Sequence, residues 1–80
     1  MTNKVALITG ASRGLGLALA KGLAARDWSL VIDARTPVAL NAAEHELAAL
    51  TTVRAIAGDM TDPAHRTAMI DAARDLGGLD

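Results

Sequence analysis

The sequence contains no cysteine, tyrosine or phenylalanine, and its one tryptophan, Trp28, is the only aromatic residue. Without cysteine the chain forms neither disulfides nor thiolate metal sites, which fits a reducing compartment. Neither sign of charge predominates, because Lys and Arg number 8 against 9 Asp and Glu, for a net charge of −1. No global field therefore attracts nucleic acid or an anionic membrane, and any anion must be bound locally.

Long hydrophobic runs are also absent. The apolar run at residues 5–8 is too short for a signal peptide or a membrane span, and charged residues recur along the chain. We therefore expect a cytoplasmic protein with no membrane partner. The hydrophobic content of 51% is typical of globular proteins, but a chain of 80 residues buries a smaller share of its surface than a full domain. We expect marginal stability for the chain alone.

Three short apolar runs, at residues 5–8, 30–32 and 53–57, are each followed by a segment with helical spacing. Runs buried on both faces and linked by helices imply parallel strands with right-handed crossovers. The sequence therefore predicts an α/β fold, the βαβαβα half (three strands, three helices) of a Rossmann-type doubly wound parallel sheet. Such a half is incomplete without a second half. The apolar edge of its first strand would be exposed, so we do not expect a stable monomer.

The three helices are predicted from apolar spacing and from their terminal residues. The first spans residues 14–26 and is predicted to pack on the sheet through Leu15, Ala18, Leu19, Gly22 and Leu23. The second follows Thr36 as N-cap and places inward Leu40, Ala43, Leu47 and Leu50. The third follows Asp62, ends near Leu76 before Gly77 and Gly78, and places inward Ala68, Met69, Ala72, Ala73 and Leu76.

Residues 9–16, here called the glycine loop, read Thr-Gly-Ala-Ser-Arg-Gly-Leu-Gly between the first strand and the first helix. The first N–H groups of a helix lack partners and lie at the positive end of its dipole, so an anion binds there. Gly10 takes backbone angles closed to other residues, Gly14 admits a ligand to the main chain, and Gly16 permits close helix–strand packing. The sequence lacks the Gly-Lys-Ser/Thr of a Walker loop. The spacing is G-x-x-x-G-x-G rather than the common dinucleotide pattern.

This loop closely resembles the cofactor loop of the short-chain dehydrogenase/reductase family. The Gly-Asp-Met-Thr-Asp segment at residues 58–62 resembles the family's motif after the third strand. Residues 76–80 resemble the lead-in to its fourth strand. The resemblance covers the whole chain and identifies residues 1–80 as an NAD(P)-binding half-domain. By resemblance, the cofactor site includes Gly10, Ser12, Arg13, Gly14, Leu15, Gly16, Ala34, Arg35, Asp59 and Met60.

The resemblance implies an oxidoreductase that transfers hydride to or from a carbonyl/alcohol substrate and that is a homo-oligomer when full length. The family's catalytic Ser, Tyr and Lys, the last two in a Tyr-x-x-x-Lys arrangement, all lie in the second half, which is absent here. We therefore assign no catalytic residue, and we expect the 80-residue chain alone to be inactive. Ser12 and Ser29 have no His/Asp partners in sequence, and His45 and His65 are expected to be solvated on exposed parts of their helices.

The cofactor preference depends on the end of the second strand, which reads Ile-Asp-Ala-Arg at residues 32–35. NAD enzymes place an acid there for the ribose 2′-OH, whereas NADP enzymes need cations. By resemblance the acidic position falls on Ala34, and Arg35 and Arg13 match the basic residues of NADP-using members. Two guanidinium groups on a phosphate would favour NADPH over NADH by roughly 2 to 4 kcal/mol.

A one-residue shift would make Asp33 the 2′-OH ligand and reverse this preference. We favour a structural role for Asp33, in which it pairs with a nearby arginine or accepts backbone N–H bonds, and we favour NADP(H) as cofactor. For Asp59 the resemblance implies contact with adenine, and a role in its own turn is compatible with that. Met60 belongs to the same segment, although Met60 and Met69 are more simply explained as core residues.

Two other hypotheses stay open. One is a nonenzymatic dinucleotide-binding or sensing module, with which the absence of tyrosine is consistent. The other is a truncated product without function. Against the first, the sequence stops after residue 80 with the sheet unfinished.

Overall fold

The computed structural model describes residues 4–77, in which strands and helices alternate. The elements are β1 (Val5–Ile8), α1 (Gly14–Ala24), β2 (Ser29–Ala34), α2 (Pro37–Ala48), β3 (Val53–Ala57) and α3 (Pro63–Asp75). The strands form one parallel sheet in the order β1-β2-β3, with Val5 opposite Ser29 and Leu30 opposite Val53. The predicted half of a Rossmann-type sheet is confirmed.

The sheet lies between two helical layers because alternate side chains of a strand point to opposite faces. Leu30, Ile32 and Ala34 of β2 belong to a core that also contains the buried residues of α1 and α2. Val31 belongs to a second core, on the other face, with Met69, Ala72 and Ala73 of α3. All six residues of β2 are buried. Asp33, two residues after Val31, therefore faces α3, whereas Ala34 faces the other layer.

The helices begin and end close to the predicted positions. Asp62 is the N-cap of α3 and its carboxylate accepts a hydrogen bond from the Ala64 amide at 3.0 Å. Thr36 is the N-cap of α2, but its side chain makes no capping hydrogen bond. Gly77 ends α3 with φ +89°. Gly78, predicted as a second helix stop, and the rest of the segment to residue 80 lie outside the described residues.

The predicted inward face of α1 is wrong except at Leu23, which is partly buried against the core. Leu15 is 89% exposed and Leu19 is 55% exposed, and the residues of α1 that are buried against the sheet are Ala20 and Ala24. α1 is apolar on nearly every side, so its spacing does not select one face. Alanine allows a closer approach to the sheet than leucine, and the leucines lie beside the unpaired edge of β1. They line a cavity of about 730 Å³ with Leu7, which is 44% exposed.

The inward faces of the other two helices agree better with prediction. Leu40, Ala43 and Leu47 of α2 are buried, but Leu50 follows the end of the helix and is 52% exposed. The predicted residues of α3 are buried or partly buried. None of the helices within residues 4–77 combines the length and apolar character needed to cross a membrane.

Candidate functional site

The glycine loop follows β1 at the carboxyl edge of the sheet. Gly10 and Gly14 have φ +64° and +60°, a region that favours glycine. A Cβ on Gly16 would overlap the Gly10 carbonyl oxygen and lie 3.2 Å from Ala11 Cα. Glycine at position 16 thus lets α1 close on the loop itself, rather than on β1 as predicted.

The first turn of α1 presents backbone amides at this edge. Arg13 is the N-cap in an extended conformation, and its side chain makes no capping hydrogen bond. The amides of Gly14, Leu15 and Gly16 precede the first intrahelical donor, so they have no acceptor within the helix. No atom lies within 4 Å of an ideal Cβ on Gly14, which leaves space next to the main chain. Amides that have no acceptor within the helix and lie beside open space suit an anion.

Two cavities adjoin the end of β2. One, of about 220 Å³, lies on the β3 side and is lined by Thr9, Gly10, Asp33, Ala34, Arg35, Gly58, Asp59, Met60 and Thr61. The other, of about 400 Å³, lies on the α2 side and is lined by Ser12, Arg13, Ala34, Arg35, Thr36 and Ala39. Seven of the predicted site residues line these two cavities, namely Gly10, Ser12, Arg13, Ala34, Arg35, Asp59 and Met60. Leu15 and Gly16 instead line the cavity beside β1, and Gly14 lines neither of the two at the end of β2. Arg13 and Arg35 share the second cavity, whose lining contains no carboxylate.

Asp33 is held by three interactions. The Gly10 amide donates to its Oδ1 at 3.0 Å, and His65 Nε2 donates to Oδ2 at 2.7 Å. The Ala11 amide donates to the Asp33 carbonyl oxygen at 3.0 Å. The prediction that Asp33 accepts backbone N–H bonds is confirmed. Its side-chain partner, however, is a histidine and not an arginine.

His65 is buried, with 7% of its surface exposed, so the prediction of a solvated side chain is wrong. The spacing of α3 carried a signal for this, because His65 precedes the buried Met69 by four residues and so lies on the same helical face. A polar side chain is accommodated there because Asp33 is its partner across the interface. His45 is exposed as expected.

Asp59 lies in the turn after β3 and contacts Arg35, which is predicted to bind the 2′-phosphate. Its Oδ1 accepts from the Thr61 amide at 2.9 Å, and its Oδ2 lies 3.4 Å from Arg35 Nη2. The Thr61 amide and hydroxyl, followed by the charges of Arg35 and His65, lower the pKa of Asp59 below 3.8. The role of Asp59 in its turn is confirmed, and its contact with adenine stays a prediction.

The two methionines differ in position. Met60 is 37% exposed and lines the smaller cavity, so its assignment to the core is wrong. Met69 is 2% exposed and is a core residue as expected. Arg66 Nη1 donates to the Met60 carbonyl oxygen at 2.7 Å, which ties the turn to α3.

Comparison with known proteins decides the family. The short chain dehydrogenase family model matches residues 4–80. The chain belongs to this family. Its members are oxidoreductases, and the resemblance carried by the glycine loop and residues 58–62 is confirmed.

Known members of the family align with nearly the whole length of this chain. Gluconate 5-dehydrogenase of Gluconobacter oxydans is 41% identical over 94% of this chain, and galactitol 2-dehydrogenase of Agrobacterium fabrum is 37% identical over all of it. L-sorbose reductase from Gluconobacter frateurii, solved with NADPH and L-sorbose, has a TM-score of 0.83 at 34% identity over 94% of this chain. The chain spans 30%, 31% and 29% of the lengths of these three proteins.

Proposed function

We propose that the chain is the cofactor-binding half of an NADP(H)-dependent oxidoreductase that interconverts a carbonyl compound and an alcohol. The observation that carries this proposal is the pair Arg13 and Arg35 around one cavity at the end of β2, with no carboxylate in its lining. A 2′-phosphate is a dianion that accepts bidentate hydrogen bonds from guanidinium groups. The neighbouring Asp33 uses both of its carboxylate oxygens within the protein, so it competes poorly for a ribose hydroxyl.

The remaining roles follow from position. The amides of residues 14–16 would bind the pyrophosphate, and Gly10 and Ser12 would shape the loop beneath it. Ala34 leaves room beside the ribose, and the smaller cavity, with Asp59 and Met60 in its lining, would receive the adenosine. A bound NADP(H) would supply or accept the hydride. No residue of this chain is assigned to proton transfer.

Several relatives support the choice of cofactor and suggest a substrate class. Solved structures of L-sorbose reductase and of a short-chain dehydrogenase from Sphingobium yanoikuyae contain NADPH, and both are similar to this chain. The names of three relatives refer to gluconate, galactitol and L-sorbose, which are polyhydroxylated. We propose a polyol or the corresponding ketose as the substrate class.

The test is to sequence the transcript past Asp80 and to assay its product with NADPH and ketoses. A downstream Tyr-x-x-x-Lys segment and ketose-dependent NADPH oxidation would support the proposal. A stop codon directly after Asp80 would contradict it. So would a complete product that binds NADPH but oxidises it with no carbonyl compound, which would favour a sensing module. The 80-residue chain alone should show no turnover above background.

A further inference from the structure

The buried pair Asp33 and His65 joins three segments around the glycine loop. Each side chain is 4% exposed, and His65 Nε2 lies 2.7 Å from Asp33 Oδ2. The other carboxylate oxygen accepts a hydrogen bond from the amide of Gly10, the second residue of the glycine loop. A chain of hydrogen bonds therefore runs from α3 through β2 to the loop.

Gly58 makes this pair possible. A Cβ at position 58 would lie 2.9 Å from both Cγ and Cε1 of the His65 ring, closer than real contacts allow. The Gly58 amide also donates to the Ala34 carbonyl oxygen at 3.1 Å, which fixes the turn after β3 against β2. The missing side chain leaves the space that the imidazole occupies.

We propose that His65 is a positioning residue that holds the Asp33 carboxylate, which β2 directs towards α3, in the orientation that anchors Gly10 and leaves no carboxylate oxygen free for the ribose. This inference rests on the proposed function for its effect on cofactor choice. Asp33 borders the smaller cavity, so its charge is close to the adenosine site. An Asp33 released from His65 can accept a hydrogen bond from a 2′-OH and repels a 2′-phosphate. His65 thus preserves the preference for NADP(H) without contacting the cofactor.

The test compares two amide substitutions at position 65 in the intact protein. The amide nitrogen of Gln reaches about as far as Nε2 of histidine, whereas that of Asn is too short to reach Asp33. His65→Asn should therefore accelerate hydrogen exchange at the Gly10 amide and lower the ratio of NADPH to NADH affinity by about tenfold. His65→Gln should stay close to the wild type in both measurements. His45→Asn, on the exposed part of α2, is the matched surface control.

Repeating the His65→Asn substitution in Asp33→Asn protein separates an effect on the position of the Asp33 carboxylate from general destabilisation. In Asp33→Asn protein no charge is available to move, so adding His65→Asn should leave the affinity ratio unchanged. The inference is overturned if His65→Asn and His65→Gln behave alike, or if the ratio falls equally in the Asp33→Asn background. If the wild type binds neither cofactor, the proposed function fails. Hydrogen exchange at the Gly10 amide still decides whether His65 positions the glycine loop. Equal exchange rates in all variants would contradict that role.

Discussion

At the end of β2, the adjacent residues Asp33 and Ala34 face opposite sides of the sheet. The proposed choice between NADP(H) and NAD(H) depends on which of them faces the cofactor ribose. Asp33 faces α3 and meets His65, whereas Ala34 lines the cavity shared by Arg13 and Arg35. The sequence alone left open which of the two occupies the acidic position of NAD enzymes. Side-chain alternation favours Ala34 for that position, because Val31, and therefore Asp33, faces the α3 side of the sheet.

Replacement of Arg35 by alanine should weaken NADPH binding far more than NADH binding. The guanidinium is the one cation that borders both cavities at the end of β2 among the described residues, and only NADPH carries the phosphate that it would bind. We expect a loss of roughly tenfold or more for NADPH, measured by calorimetric titration. Arg54→Ala, an exposed arginine of β3 outside both cavities, is the control. Equal losses for both cofactors would exclude a phosphate role for Arg35.

The Asp59 carboxyl should titrate with a midpoint below 3.8, because hydrogen bonds from Thr61 and the charge of Arg35 lower its pKa. A lowered pKa in the folded protein stabilises the fold above the unfolded value, and this contribution is lost as the pH falls through the folded value. Asp59 is therefore ionised throughout the neutral and mildly acidic range. Its carboxyl carbon, followed by NMR, reports the midpoint.

Two variants rank the causes of this shift. Thr61→Val removes the hydroxyl hydrogen bond and should raise the Asp59 pKa more than Arg35→Ala, since Arg35 is the weaker influence. A larger effect of Arg35→Ala would mean that the ion pair, and not the turn, controls the ionisation of Asp59.

Strand positions and helix starts could be predicted from the sequence, but the orientation of α1 could not. Apolar runs bounded by polar residues defined β1 and β3, and Asp62 before Pro63 defined the start of α3. α1 offers apolar residues on every side, so its packing face depends on close contact between Ala20 or Ala24 and the sheet. Local spacing contains no information on that tertiary contact.

The same limit applies to the candidate site. The residues of the glycine loop could be predicted because its backbone conformation requires glycine at fixed positions, which the sequence shows directly. His65 was missed because its role depends on a partner 32 residues away. Such a pairing becomes visible only when β2 and α3 are packed together.

Two glycines of α1 should respond oppositely to alanine. Gly16→Ala introduces a Cβ that overlaps the Gly10 carbonyl oxygen, so we expect the free energy of unfolding to fall by roughly 1–3 kcal/mol and cofactor binding to be lost. Gly22→Ala meets no atom within 4 Å. It should raise the free energy of unfolding by about 0.5–1 kcal/mol, because alanine is the better helix former.

Urea denaturation of both variants measures these changes. If Gly16→Ala and Gly22→Ala both lower the free energy of unfolding, the open space beside Gly22 would be contradicted. A stable Gly16→Ala variant that still binds cofactor would contradict the close contact between α1 and the glycine loop.

The described residues together form one half of a sheet, and within them the β1 edge has no neighbouring strand. Leu7, Leu15, Ala18 and Leu19 form an apolar surface beside it, here called the β1 edge surface. Apolar patches next to an unpaired strand favour association. We propose that this surface is covered in the full-length protein.

The 80-residue chain should therefore associate with itself as its concentration rises. Leu19→Lys, a charge placed on the β1 edge surface, should reduce this association in sedimentation velocity experiments. Val38→Lys is the control, because Val38 of α2 is 80% exposed but does not line that cavity. Equal sedimentation of the wild type and Leu19→Lys across concentrations would locate any association elsewhere.

We propose that this family member uses Arg13 and Arg35 together to select NADP(H). The most direct measurement is a calorimetric titration of the intact protein with NADPH and with NADH in the same buffer. Two guanidinium contacts to one phosphate predict that NADPH binds at least about thirtyfold more tightly. Equal affinity for the two cofactors, or tighter binding of NADH, would exclude selection of NADP(H) by these arginines.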